Sequence, residues 1–201
     1  GLPQAEPSLK ITYVQPKDFT GLLRYVRNIL VVTIDPTAYT KVSVGYENNV
    51  WARGQVVVSL KAPNTESIVE YSKTHEKALV NFFVKVEMNR AIEQLQKEYS
   101  MVVMDNLKSD LNVMLNAPAN FTYYKDTTDF FWSSNNANTG RMDLIVYTFP
   151  YTDPNTFTEE YLVAKRDSVL KANLPGSFPG SYMQTETRAG VEYTPITLNG
   201  K

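Results

Sequence analysis

The sequence predicts an α+β protein of two lobes, and three observations carry that assignment. Two continuous β-branched runs, "NILVVTID" (28–35) and "QVVVSLKAP" (55–63), occupy the first third. Residues 64–117 hold neither glycine nor proline and carry a helical apolar period. Beyond them come short β-prone runs separated by Asn, Asp and Gly, with one well-marked helix. Helices and strands segregated in this way argue for α+β. The change of pattern puts the lobes at 1–112 and 113–201, the first β-α-β-β-α-like with a long helical segment, the second an antiparallel sheet with one helix.

"LKITYVQP" (9–16) reads as a short strand stopped by its proline. "KDFTGLLRYVR" (17–27) places Phe19, Leu22, Leu23 and Val26 at helical spacing behind an Asp18 N-cap, although Gly21 weakens it by about 1 kcal/mol against Ala. "NILVVTID" and "QVVVSLKAP" are expected to be strands buried on both faces, and residues 36–54 between them an edge strand or ordered loop. Asn64 or Thr65 caps the next helix, with Ile68, Tyr71, His75, Leu79, Phe82, Val86, Ala91, Leu95 and Tyr99 on one stripe. A single helix over 65–111 would measure about 70 Å, against about 40–45 Å for a compact chain of this length, so a break near Ser100 is expected. "NVMLN", "FTYYKD", "DFFWSSNN" and "RMDLIVYTFPY" are β-prone. Residues 158–176 form a helix capped by Thr158 and ended by Pro175-Gly176. The tail reads as a hairpin turning at Ala189-Gly190.

Composition excludes more chemistry than it suggests. Twenty Lys and Arg against 21 Asp and Glu leave a net charge of −1, so there is no basic surplus for a phosphate backbone, and no nucleic-acid partner is expected. The chain has no cysteine and one histidine. Thiolate catalysis, disulfides, Cys-bound metals and multi-imidazole sites are therefore excluded. No run of 18 apolar residues exists to span a bilayer. His75 sits on an apolar stripe without a carboxylate at i±3 or i±4, the place of a core-edge residue more than of a catalyst. Asp126, Asp129, Asp143 and Asp153 lack the alternating spacing of a calcium loop and read as turn formers. No Gly-rich phosphate loop occurs. No catalytic residue, metal or cofactor is assigned.

Aromatic residues supply the candidate binding positions. Trp51 and Arg53 in "NNVWARG" could stack a ligand, or Trp51 could cap the core at a strand entrance. "YTFPYTDPNTFTEEY" (147–161) holds five aromatic rings and two prolines. Tyr147, Phe149 and Tyr151 share one face by the period of two. Phe157 at N′ and Leu162 at N4 form a hydrophobic staple on paper. The expectation is that these rings clamp the strand-to-helix connection, with a ligand site as the alternative.

"LPQAEP", "FTGLLRYVRNILVVTID", "NNVWARGQVVVSLKAP", "LVNFFVKVEMNRAI", "DFFWSSNN" and "VYTFPYTDPNTFTEEYLVAKRDSVLKANLPGSFPGSYMQTE" together resemble a family of Bacteroidetes envelope lipoproteins, the domain of unknown function 4837 type. The resemblance runs along nearly the whole chain. It implies a signal peptide, attachment to the membrane through an N-terminal lipidated cysteine that this chain does not contain, and residence in the cell envelope on the periplasmic side or the cell surface. It also implies further strands and a helix beyond "ITLNGK", which would leave the second lobe incomplete here. It supplies no catalytic residues. More weakly, the second lobe resembles the PsbP/Mog1-type α+β fold, whose members usually bind partners. "DTT" (126–128) and "DSV" (167–169) look like O-glycan acceptor patterns of exported proteins in that bacterial group, and Thr127, in an expected turn, is the better acceptor. The function expected is therefore a non-catalytic envelope lipoprotein binding a protein or glycan. The alternative is a carboxylate-dependent hydrolase of envelope glycan or peptide, which would need two convergent acids in a pocket.

Overall fold

The structure, a computed structural model, describes residues 8–191, 193, 194 and 196. They form a mixed α+β protein with four α-helices and two three-stranded sheets. The chain divides into two compact units at Gln94/Leu95. The change of composition at 112/113 lies inside the second unit, between its first helix and its sheet.

The first unit has a sheet of β1 (Asn28–Ile34), β2 (Ser43–Asn48) and β3 (Val56–Ala62) in the order β1-β3-β2. β1 runs parallel to β3 and β2 antiparallel to it. The central strand β3 is buried on both faces, as its apolar run predicts: Val56, Val57, Val58, Leu60 and Ala62 are all buried. β1 differs from expectation. Only Ile29 is buried, and Leu30, Val32 and Ile34 are 45–47% exposed, because β1 is an edge strand covered on one side only. A hydrophobic run thus marks a strand without fixing its place in the sheet.

Two N-terminal expectations fail for identifiable reasons. Residues 9–16 form no strand, and Ile11 and Tyr13 stand 86% and 82% exposed, since no described strand offers them a partner. Residues 17–27 form two 3-10 turns, Pro16–Asp18 and Gly21–Tyr25, and no α-helix. Gly21 takes φ +52°, a left-handed conformation that interrupts the helical ladder.

α1 (Thr65–Thr74) and α2 (Glu76–Lys97) follow. The Asn64 side chain caps α1 by accepting from Ser67 N–H at 2.8 Å. The break at Thr74/His75 was not foreseen. The Thr74 hydroxyl bonds back to the Glu70 and Tyr71 carbonyls and to His75 Nδ1, a local competition that ends the helix. His75 is exposed and stacked on Tyr71 at 4.0 Å. α2 is tied to the end of the sheet by Arg90, whose guanidinium reaches Asn28 Oδ1 (2.7 Å), Glu87 (2.6 Å), and the Gly54 and Arg27 carbonyls (3.0 Å each).

The break foreseen near Ser100 is present: α2 stops at Lys97 and α3 spans Met101–Leu111. Ser100 is 3% exposed; it caps α3 by accepting from Val103 N–H and donates to the Phe121 carbonyl at 2.5 Å. In the second unit β4 (Tyr123–Thr127), β5 (Phe130–Ser134) and β6 (Asp143–Tyr147) form an antiparallel meander. "NVMLN" forms no strand; Asn112 caps α3 at φ +53° instead. Phe131 packs with Val103, Leu107, Ala117 and Phe121 on the α3 side. Phe130, on the opposite face by alternation, is equally buried at 2%. α4 (Glu159–Asn173) lies on that face, its Asn173 carbonyl accepting from Lys125 Nζ at 2.9 Å. Trp132, on the Phe130 face, is half-buried, and its indole N–H donates to Asp143 at 2.9 Å. Thr158 caps α4 as predicted, accepting from Tyr161 N–H. In the tail the expected first arm, 181–186, forms no strand beyond an isolated bridge of Tyr182 to Pro175, and Thr187–Ala189 is a 3-10 turn; residues 192, 195 and 197–201 of the second arm lie outside the described residues.

Candidate functional site

The aromatic stretch after β6 splits into two layers. Tyr147 and Phe149 are half-buried and stacked at 6.0 Å, and Phe149 continues to Tyr161 on α4 at 6.0 Å. Lys165, one turn along α4, lies over Phe149 at 5.0 Å. Burial raises the pKa of the Tyr147 hydroxyl. These rings do fasten strand to helix.

The outer layer contradicts the clamp. Phe157 is 59% exposed and Tyr151 64% exposed, and the two stack on each other at 5.3 Å with planes 29° apart. The staple therefore does not form as expected, and Leu162 is only half-buried. The reason is local. Asp153 accepts from Asn155 N–H at 2.8 Å and starts a 3-10 turn, Pro154–Phe157, which rotates Thr156 inward and Phe157 outward. Thr156 is 1% exposed. Its hydroxyl has no hydrogen-bond partner among the described residues. A buried, unpaired hydroxyl is destabilising by about 1–3 kcal/mol. Thr156→Val keeps the shape and removes the hydroxyl, so it should raise stability by about 1 kcal/mol; a thermal melt that falls would contradict this.

Trp51 lies in the turn between β2 and β3, 37% exposed, with its ring edge-on to Phe19 at 5.6 Å. Arg53 is exposed. No stacking of Arg53 on Trp51 occurs among the described residues, so this pair does not form a ready ligand clamp. Thr127 ends β4, exposed, its hydroxyl donating to the Phe130 carbonyl at 3.1 Å. Ser168 is exposed on α4.

One pairing of acids is invisible to spacing rules. Asp126 on β4 and Asp110 at the end of α3 come close enough for each to shift the pKa of the other. Burial first, then the Asp110 hydrogen bond and charge, raise the pKa of Asp126. Hydrogen bonds from Ser109 and then Asp126 lower that of Asp110. Sixteen residues of separation hide such a pair from any spacing rule. The pair lacks a pocket, however. Two shallow depressions of about 230 and 360 Å³ lie along β2 and along α1, and neither contains Asp110 or Asp126. Asp143 is different again: burial favours its neutral form, but hydrogen bonds from Arg141, Trp132 and Ser134 outweigh that and lower its pKa. Among the described residues no cluster of three or more His, Cys, Asp or Glu could hold a metal, and no helix is long and apolar enough to cross a membrane.

These features define a two-unit α+β protein in which the Tyr151–Phe157 ring stack stands mostly exposed as a ledge. The chain belongs to the family described as domain of unknown function DUF4837, whose model matches residues 100–201. A second model, domain of unknown function DUF8532, matches residues 1–96. The two matches divide the chain within a few residues of the structural boundary at Gln94/Leu95. No curated protein and no solved structure matches it.

Proposed function

We propose that this protein is a non-catalytic, lipid-anchored module of the cell envelope, and that it binds a protein or glycan partner through the Tyr151–Phe157 ledge. The observation that carries the binding site is that stack. Two large rings stand mostly in solvent and stack on each other, on a 3-10 turn held by Asp153, which accepts from Asn155 N–H at 2.8 Å, and by Tyr193, whose hydroxyl donates to the Phe157 carbonyl at 2.8 Å. Exposed aromatic pairs on a rigid base supply contact area with few rotamers to freeze, and such rings dominate binding hot spots. The envelope location rests on the sequence resemblance, and Thr127 is the position proposed to carry an O-glycan there. A hydrolase is the weaker reading, because the Asp110–Asp126 pair sits on the surface outside both depressions.

The test uses the full-length, lipid-anchored protein cross-linked in its native envelope. Tyr151→Ala with Phe157→Ala should abolish the cross-linked species while moving the melt by less than about 1 kcal/mol, as for exposed residues. Cross-linking that persists in the folded double variant would remove the ledge as the site.

A further inference from the structure

The outer edge of β2 has the geometry and the sequence to pair with a second copy of itself. β2 is the last strand of its sheet, and no described strand pairs with its other side. All six of its residues are exposed. Asn49 N–H donates to the Gln55 carbonyl at 2.9 Å, in register with the β2–β3 ladder. Hydrogen-bonded pairs alternate along an antiparallel ladder. Ser43, Gly45 and Glu47 therefore turn their backbone groups towards β3, and Val44, Tyr46 and Asn48 turn theirs outward. One flank is also uncovered. A Cβ placed on Gly45 would meet nothing within 4 Å, and the depression of about 230 Å³ runs along the strand there.

Edge strands are usually protected by charge, proline or a bulge. This one has no proline and one charge, Glu47 near its C-terminal end, with Lys41 of opposite sign two residues before its start. We propose that two copies of the chain associate through antiparallel β2–β2 pairing about a two-fold axis at Val44. In that register Val44 faces Val44 of the second copy, and Val42 faces Tyr46. Lys41 faces Glu47, and Ser43 faces Gly45. The outward-facing Val44 and Tyr46 become hydrogen-bonded pairs, as the ladder requires, and pairing extends the strand back through Val42 and Lys41. Apolar side chains meet apolar on one face, and two Lys–Glu pairs form on the other. Neighbouring registers lose this match. A shift one way sets Ser43 against Glu47 and Lys41 against Asn49; a shift the other way sets Glu47 against Tyr39. Opposite-charge and aromatic–β-branched cross-strand pairs each add a small stabilisation, while like charges oppose pairing. The product is one continuous six-stranded sheet with an isologous interface.

Sedimentation of the chain should show a reversible dimer of 45.6 kDa (2 × 22.8 kDa) at high micromolar concentration. Glu47→Lys places like charges together twice and should raise the dimer Kd by about tenfold, as should Lys41→Glu. The double variant K41E/E47K restores both pairs and should return to near the original value. Because the chain has no cysteine, Val44→Cys adds a readout of register. Residues facing each other across the axis as a hydrogen-bonded pair lie about 5.5 Å apart at Cα, within disulfide reach. Mild oxidation should cross-link Val44→Cys, and Glu47→Cys should stay uncross-linked. Circular dichroism confirms that each variant is folded. A chain that stays monomeric, a dimer indifferent to the single swaps, or one not rescued by the double swap would overturn the proposal. So would cross-linking through position 47 in place of 44.

Discussion

Phe131→Ala should destabilise the second unit by about 3–5 kcal/mol, the usual loss on truncating a buried Phe. Phe131 is 2% exposed and fills the space between α3 and the sheet, against Val103, Leu107, Ala117 and Phe121. Neighbours on that face, Leu144 and Val146 of β6, are held by the β5–β6 register and have little freedom to move in. The cavity should therefore persist. A domain of this kind has about 5–15 kcal/mol of stability in total, so the variant should be near the edge of folding. Urea unfolding read through Trp132, in a Trp51→Phe background, measures it. A loss below about 1 kcal/mol would mean that the core is not organised around this ring.

Gln55→Leu should cost the first unit about 3 kcal/mol, although it exchanges one buried side chain for another of similar size. Gln55 is 1% exposed and satisfies three backbone groups at once. Its amide nitrogen donates to the Arg24 and Val26 carbonyls at 2.6 and 2.7 Å, and its oxygen accepts from Trp51 N–H at 3.0 Å. Leucine leaves all three without that partner, at about 1–3 kcal/mol for each that water cannot reach. Gln55→Glu makes a useful contrast, since it keeps an acceptor for Trp51 N–H while setting a carboxylate against two carbonyls. Trp51 fluorescence in a Trp132→Phe background follows the transition. Equal stability of Gln55→Leu and the parent would show that the carbonyls are hydrated.

The elements that were legible in the sequence are those whose signals are local and strong. β3 carries five buried apolar residues among seven, and α4 announces its cap, its first-turn acids and its Pro-Gly stop. The break at Ser100 came from length alone. What failed depended on neighbours. Residues 9–16 have strand composition but no described strand to pair with, and the helical spacing of 17–27 is overridden by the backbone of Gly21. The candidate site shows the same division. The period of two correctly put Tyr147 and Phe149 together, but β6 ends at Tyr147 and Tyr151 joins Phe157 instead. Which way Phe157 points is set by a single 3-10 turn, and spacing from the helix cap misassigned it. The meeting of Asp110 with Asp126 is purely tertiary.

The strand order of the first sheet also bears on how that sheet is assembled. β2 reaches β3 across the seven residues Asn49–Gln55, whereas β1 pairs with β3 at a separation of 28 residues, Asn28 to Val56. Loop-closure entropy rises by about 0.6 kcal/mol for each doubling, so a fourfold longer loop makes the parallel pairing about 1.2 kcal/mol harder to initiate. Local contacts form before distant ones are rewarded. The β2–β3 hairpin is thus the seed of the sheet, and β1 is the strand that arrives late and leaves early. Until it arrives, the most deeply buried strand of the unit has one open side.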